Sequence, residues 1–487
     1  MQENTVKGVV WLNKLTIGFA PTRRNVFSAE DAQKYKALIL EKIHSFDLDI
    51  DIIDLSSINA EGLLYGDKEC EEKIIELFSM HHVDALFFPH CNFGTEDSVA
   101  RVAKKLNKPT LLWGPRDEAP LENGMRLRDT QCGLFATGKI LRRFNVPFTY
   151  IVNSSVEDEV FKRGFQTFVR AANVVKQFQA LRILQIGPRP TDFWSVICNE
   201  GELLEKFGIE LHPITIEEIK KQTLKIAQQQ NVELQQAIQY IKTHLQAIDV
   251  DDEAITKIAA LKVAMKQIAL QNKCNAIAIQ CWSSLQDAIG IMPCLANAIL
   301  TDEQIPVTCE TDIHGAITSV MLQAAAMNKQ PTFFADLTIR HPENDNGELL
   351  FHCGNFPVSL SVEETPRLQR HFLFDDHSPG THESEIKGGA MTLARFDGDH
   401  GQYSLFFGDA RGIKGPYTRG SWVWVEVDNW PLWEDQLVTG PYIHHIVGVH
   451  DEVGAALYEA CKYIPGLQPD PATPTEQTIK EWLRGEH

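Results

Sequence analysis

Between residues 15 and 152, five short apolar runs alternate with stretches of helical periodicity, and this alternation restricts the fold more than any other feature. The runs are 15–20 (LTIGFA), 49–55 (DIDIIDL), 84–89 (DALFFP), 109–113 (PTLLW) and 148–152 (FTYIV). Helical patterns fall between them, at about 28–44, 69–81, 95–106 and 130–143. Strands that are apolar on both faces need cover on both, and intervening helices supply it, so the pattern predicts a doubly wound parallel sheet. In such sheets the loops after the strand C-terminal ends form the binding crevice. Those loops are PTRRN (21–25), PHCNFGTED (89–97) and GPRDE (114–118). The adjacent Arg23 and Arg24 suit an anionic group, and suit a surface pair or a subunit salt bridge at least as well. Asn92 is a candidate hydroxyl partner.

A second start of the same kind follows a helical stretch at 156–179. Its strands are 181–187 (LRILQIG), 275–282 (NAIAIQCW) and 305–310 (IPVTCE), with helices near 195–207, through 216–272 and near 291–303. The Gln/Lys-rich stretch 216–248 reads as a solvated or subunit-contacting helical layer. After about 345 the texture changes. MTLARFD (391–397) and QYSLFFGD (402–409) flank the turn GDHG, a hairpin signal, and RGSWVWVEV (419–427) alternates as a strand. A late helix is expected at about 450–463 and a short one near the end of the chain. The expected architecture is α/β: two doubly wound parallel-sheet domains, 1–176 and 177–345, followed by a mostly β C-terminal domain, 346–487.

The net charge of −19 repels phosphate backbones and anionic lipid, so nucleic acid and membranes are poor partners. No apolar run reaches bilayer-spanning length. The start MQENTVKGVVWLNKL has no secretory pattern, and ten scattered cysteines form no CxxC pair. Free thiols and no leader make the cytoplasm the expected compartment. The loop APTRRN lacks GxGxxG, so a dinucleotide site has no support.

The densest polar signal lies between 308 and 356. Glu310 ends IPVTCE and is followed by Thr311, Asp312 and His314; Asp336 ends PTFFAD; His352 follows in LLFHCGN. GPYIHHIVGVH then supplies His444, His445 and His450. Carboxylates with one or two imidazoles suit a hard divalent ion such as Mn²⁺. Taken one at a time, such residues are more often hydrogen-bonded structural groups or helix caps. Trp282 suits stacking on a flat ligand face, although core packing is the default for a tryptophan.

Several segments carry a resemblance. QIGPRPTDFWSVICNEGELLEKFGIEL (185–211) resembles the start of the second domain in the L-fucose isomerase and L-arabinose isomerase superfamily. The segment 281–322 (CWSSLQDAIG through ITSVML) is similar to that family's segment with a metal-binding glutamate. PTFFADL resembles the segment of its second acidic ligand, GPYIHH that of its histidine ligand, and IGFAPT the opening strand of the fucose branch. The resemblance implies a metal-dependent aldose–ketose isomerase working through a cis-enediol, with Mn²⁺ or another divalent ion such as Co²⁺ or Mg²⁺. It implies Glu310 and Asp336 as ligands and proton-transfer groups, and one of His444 and His445 as the histidine ligand. His445 is preferred, which leaves His444 facing substrate. The arabinose branch has a second histidine about where His352 lies, so His352 is either a fourth ligand or a substrate-facing residue. The resemblance further implies a homo-oligomer, commonly a hexamer, with active sites between subunits. The substrate is then a monosaccharide: a deoxyhexose, a pentose, or an anionic hexose such as sulfoquinovose if the arginines face it. Competing readings are a metal-dependent hydrolase or lyase of a sugar acid and a non-catalytic two-lobed sugar-binding protein.

Overall fold

The computed structural model describes residues 14–229, 231–373 and 378–485. Within it the chain divides into two compact units. One comprises residues 14–176 with two later segments, Tyr458–Ile464 and 477–485; the other comprises the described residues of Gln177–Leu457 and Pro465–Glu476.

The first unit is built on β1 (Leu15–Phe19), β2 (Ile50–Ile53), β3 (Ala85–Pro89), β4 (Thr110–Trp113) and β5 (Thr149–Tyr150). All pair in parallel, in the order β2-β1-β3-β4-β5. β3 and β4 are buried at every position, as their unbroken apolar sequences require. Helices Ala29–His44, Lys68–Met80, Glu96–Leu106 and Thr130–Arg143 supply the cover. Each begins where the sequence offers an acid or hydroxyl; Ser28 and Asp67, for example, accept the N–H of Asp31 and Glu69. The sheet order reverses at β1 and β3, so the loops after those strands form the crevice. Behind β5, Thr149 Oγ1 donates to Glu459 Oε2 at 2.6 Å, and Tyr463 OH donates to the Thr110 carbonyl at 3.0 Å. This late segment therefore caps the edge strand.

The second unit joins two arrangements. The first is a four-stranded parallel sheet of β6 (Arg182–Ile186), β7 (Glu210–Ile214), β9 (Ala276–Ile279) and β10 (Val307–Thr308), ordered β10-β9-β6-β7. Helices Ile216–Gln228, Val232–His244 and Asp252–Gln271 pack on it through a cluster that includes Ile219, Ile226, Ile258, Leu261 and Ile277. Helix Ile313–Ala325 is buried along its whole length. That explains its nearly all-apolar sequence, ITSVMLQAA, which has no polar face.

The second arrangement is antiparallel. The β-rich region begins at Thr332, ahead of the expected change near 345. Its strands are β11 (Thr332–His341), β12 (Asn344–His352), β15 (Ala390–Asp399), β16 (Gln402–Ile413), β17 (Ser421–Glu426) and β18 (His445–Val449). They follow one another in the order β16-β15-β18-β11-β12-β17, and β16 also pairs with β17, which closes a six-stranded barrel. Closure removes the free edges that an open sheet would expose. Phe333, Ala335, Leu350, Leu393, Phe406, Val423 and Ile446 belong to the cluster that fills it. β19 (Leu467–Pro471) extends it beyond β16; β14 (Pro379–Glu385), β13 (Arg367–Arg370) and β8 (Gln246–Ala247) extend it beyond β17. Asp336, at the end of its apolar run, thus stands on a barrel strand and not in the parallel sheet. The apolar run PTFFAD reads alike for either kind of strand.

Candidate active site

Glu310 leaves β10 on a turn held in an unusual backbone state. Both Glu310 (φ 53) and Thr311 (φ 56) are left-handed. Such conformations cost about 1–3 kcal/mol each outside glycine, and a β-branched residue like threonine rarely adopts them. Four hydrogen bonds hold the turn. Thr311 N donates to the Ile279 carbonyl at 3.0 Å and Asp312 N to the Cys309 carbonyl at 3.0 Å. Thr308 Oγ1 donates to the Asp312 carbonyl at 2.9 Å, and Thr311 Oγ1 to the Pro188 carbonyl at 3.1 Å. Asp312 then caps helix Ile313–Ala325 by accepting the Gly315 N–H at 2.9 Å.

The barrel brings the other groups. Asp336 on β11 lies directly opposite His445 on β18. His445 Nε2 stands 3.4 Å from Asp336 Oδ1 and 3.9 Å from Glu310 Oε2. His352 Nε2, at the end of β12, is 3.5 Å from the same Glu310 oxygen. Glu310 Oε2, Asp336 Oδ1 and His352 Nε2 are all buried without a hydrogen-bond partner. Orphaned buried polar atoms are rare and costly, each by about 1–3 kcal/mol, so several around one space mark a place for something that completes them. Two carboxylate oxygens and an imidazole nitrogen fit a hard divalent ion. His444 is exposed, yet its ring lies 4.3 Å from that of His445, and its ligand atom comes within 4.8 Å of those of Asp336 and His445.

A buried chain of charges orients His445. Its Nδ1 donates to Asp312 Oδ2 at 2.8 Å. Arg395 binds Asp312 through both terminal nitrogens and binds Asp397 through Nε at 2.8 Å and Nη2 at 2.6 Å. Asp397 in turn accepts from His314 Nδ1 at 2.7 Å. Arg395 and Asp312 are both fully buried. Burial pushes the Asp312 carboxyl up, but Arg395 and His445 outweigh it and hold it well below the usual carboxylate range. Asp312 therefore fixes the proton on Nδ1 and leaves the Nε2 lone pair facing Glu310 and Asp336, the arrangement expected around a ligating histidine.

His352 has different neighbours. Its Nδ1 accepts the backbone N–H of Cys353 at 2.8 Å. Burial works against charge on this ring, but the Glu310 and Asp336 carboxylates outweigh it and raise its proton affinity well above the ordinary value; a divalent ion held by those carboxylates would cancel that rise and leave the ring neutral. On the other side of Glu310, the Cys281 thiol donates to Oε1 at 3.1 Å, and the thiol accepts the Glu310 N–H at 3.4 Å. Burial, then Cys309 and Glu310, push the Cys281 thiol far above its usual value, so it stays protonated as a donor. Beside Cys281, a cavity of about 390 Å³ opens where β6 and β9 end, lined by Asp192, Phe193, Gln280, Trp282, Ser283 and Ser284. Trp282 meets Phe193 edge-on, with centroids 5.3 Å apart.

The structure thus gathers Glu310, Asp336, His352, His444 and His445. Arg23, Arg24 and Asn92 belong to the first unit and are engaged inside it. Arg23 forms a two-pronged pair with Glu61, at 2.6 and 3.0 Å, and lies over the Tyr65 ring. Arg24 bonds Glu96 at 2.9 Å and the Gly94 carbonyl at 2.9 Å, and lies over Phe93. Asn92 Oδ1 accepts the Arg24 N–H at 2.7 Å, and Nδ2 donates to the Arg24 and Ser28 carbonyls, both at 3.3 Å. Sequence reasoning missed the roles of Asp312, Arg395 and Cys281. Two signals were available: an aspartate just before an apolar helix is an N-cap, and a lone arginine inside MTLARFD needs a buried partner.

Residues 18–179 match the family model described as fucose/sulfoquinovose isomerase, N-terminal domain. The chain is 24% identical over 462 residues to the sulfoquinovose isomerase of Priestia aryabhattai, covering 92% of this chain and 97% of that protein. The sulfoquinovose isomerase of Priestia megaterium (strain ATCC 12872 / QMB1551) matches with the same identity and coverage. That of Alkalicoccus urumqiensis is 26% identical over 324 residues, covering 64% of this chain and 68% of that protein.

Proposed function

The chain belongs to the L-fucose isomerase-like superfamily and is an aldose–ketose isomerase; on that premise we propose that it is metal-dependent and acts on sulfoquinovose or a closely related anionic hexose. The observation that carries the metal-dependent reading is the convergence of Glu310 Oε2, Asp336 Oδ1 and His445 Nε2 on one buried space, two of the three atoms lacking a partner. Glu310, Asp336 and His445 would hold a divalent ion such as Mn²⁺. Bound there, the ion supplies Lewis-acid polarisation of the sugar's carbonyl and hydroxyl oxygens.

The chain's own groups do the rest. Isomerisation moves a proton between C1 and C2 through a cis-enediol. A carboxylate of the Glu310/Asp336 pair takes the C–H proton as base and returns it to the neighbouring carbon as acid. The Cys281 thiol fixes Oε1 of Glu310, so the free oxygen is the one turned inward. Asp312 keeps His445 in one orientation and one tautomer. Cys281, Glu310, Asp312 and His445 are all buried, which keeps these groups fixed in place. The 390 Å³ cavity beside Trp282 offers room for the remainder of the sugar, with Asp192 and Ser283 as polar lining.

A homo-oligomer and a cytoplasmic setting complete the reading. Ten free cysteines suit a reducing compartment, and among the described residues no helix is long and apolar enough to cross a membrane. Light scattering on the purified protein tests the assembly.

The function is tested with metal-stripped and Mn²⁺-reconstituted protein, offered sulfoquinovose and a panel of neutral aldoses in D₂O. Ketose formation, with deuterium at C2 of the recovered aldose, on sulfoquinovose above all and only with metal, is the expected result. Full turnover after chelation would overturn the metal reading, and exchange on neutral sugars alone would overturn the substrate.

A further inference from the structure

The two buried histidines around Glu310 are wired in opposite senses. His445 gives its Nδ1 proton to Asp312 and turns a lone pair toward the carboxylates. His352 receives the Cys353 N–H at Nδ1, so the proton of its neutral ring sits on Nε2, the nitrogen that faces Glu310. From this we infer that His352 is a hydrogen-bond donor to the reacting oxygen of the sugar and not a metal ligand. The inference deepens the isomerase reading and rests on it.

Three observations carry it. First, a ligating histidine donates its other ring N–H to an acceptor. His352 has no acceptor there: with the Cys353 N–H on Nδ1 and a metal on Nε2, the ring would have no place for a proton and would have to be an imidazolate. A doubly protonated ring would set two N–H groups against each other at 2.8 Å. Second, Nε2 is buried, has no partner, and lies 3.5 Å from Glu310 Oε2, beyond a good N–H···O bond. Donor and acceptor therefore border the same space without satisfying each other, and an oxygen seated between them would do so. Third, the ring is held on both sides. Its Nδ1 is tied to the backbone of the next residue, and the Phe334 ring packs 5.5 Å from it. A fixed donor aimed where negative charge develops stabilises an enediolate oxygen without reorganising.

This role makes His352 a catalytic residue by contact with substrate, and it separates two properties that a ligand would lose together. In protein carrying ¹⁵N-labelled histidine and loaded with Mg²⁺ and, separately, with Zn²⁺, NMR should show His352 with a pyrrole-type Nε2 and a pyridine-type Nδ1, and His445 with the reverse. H352Q should bind either ion within about threefold of wild type, whereas H445Q, which removes a ligand, should lose more than the ~10–100-fold that losing a ligand's outer partner costs. H352Q should lose about 10²-fold in kcat with KM little changed, and H352L more, because the glutamine amide restores part of the donation. A metal-shifted, unprotonated Nε2 on His352, or a loss of metal in H352Q equal to that in H445Q, would overturn the inference. The tautomer is read on wild-type protein without turnover. A failure of the isomerase reading would thus appear in the sugar assay, while the NMR result decides the role of His352.

Discussion

Each parallel sheet in this chain ends in a crevice edged by charged loops, and the two crevices treat their charges differently. In the first unit, every polar group singled out after β1 and β3 is engaged. Arg23 meets Glu61, Arg24 meets Glu96, and Asn92 uses both ends of its amide on the loop itself. In the second unit, the corresponding loop after β10 and the barrel strands beside it leave Glu310 Oε2, Asp336 Oδ1 and His352 Nε2 unmatched at nearly complete burial. The outer atoms of Glu310 and His352, and of the neighbouring His445, are tightly held: Oε1 of Glu310 by Cys281, Nδ1 of His352 by Cys353, Nδ1 of His445 by Asp312. Position at a strand end does not distinguish a site from a brace. Side chains fixed at one end and unsatisfied at the other do.

The comparison can be broken most directly at the unmatched carboxylates. E310Q and D336N should each lower turnover by about 10⁴-fold, the upper range for a proton-transfer group, and should weaken metal binding. Steady-state kinetics and metal titration check this, and activity within tenfold of wild type in either variant would erase the distinction between the crevices.

One step outward, D312N leaves Arg395 and His445 without their buried anion. Metal affinity or turnover should fall about 10–100-fold, and stability by about 3–5 kcal/mol. The pH dependence follows from the sign of the shift. Asp312 is held below its unfolded value of about 3.9, so its pairing stabilises the fold above that pH and is lost as pH falls through the lower folded value. The melting-temperature gap between wild type and D312N should be constant from neutral pH down to about 4 and shrink below it. A gap that widens in acid would contradict the assignment.

C281A removes a thiol that donates to a carboxylate. A bond of that kind contributes about 1.5 kcal/mol, so kcat/KM should drop roughly tenfold, with C281S retaining more than C281A. The smallest effect belongs to the first crevice. R23A should cost about 1 kcal/mol of stability and leave turnover within about twofold. If R23A or R24A instead abolished activity on the anionic sugar alone, with melting unchanged, the first crevice would be a binding surface as well.

The first unit was legible almost residue by residue, because alternating periods of two kinds leave few alternatives. The segments 84–89 and 109–113 became β3 and β4, and the expected helix at 130–143 has those bounds. The hairpin around GDHG was equally plain, since β15 and β16 pair directly across it. The site was legible as a set of residue types and by resemblance, not as geometry. Asp336 and His445 are immediate neighbours in register although 109 positions separate them, and no local pattern encodes that pairing. Arg395 sits in an ordinary-looking strand, and its partners are the carboxylate two positions along that strand and that of a distant helix cap. Between His444 and His445, two adjacent identical side chains, the fold shows a difference in burial and in the Asp312 contact that the sequence does not carry.

Thr311 carries a last consequence. Its left-handed backbone is held in part by the bond from its hydroxyl to the Pro188 carbonyl, and Pro188 opens the loop that lines the cavity beside Trp282. That loop and the backbone that aims Glu310 are therefore mechanically joined. On the proposed mechanism, a sugar whose far end displaces residues 190–193 pulls on the turn that carries Glu310, so recognition at one end of the substrate and reactivity at the other share a lever. Severing it in T311V should loosen the dependence of kcat on the distal substituent while leaving the simplest substrates least affected.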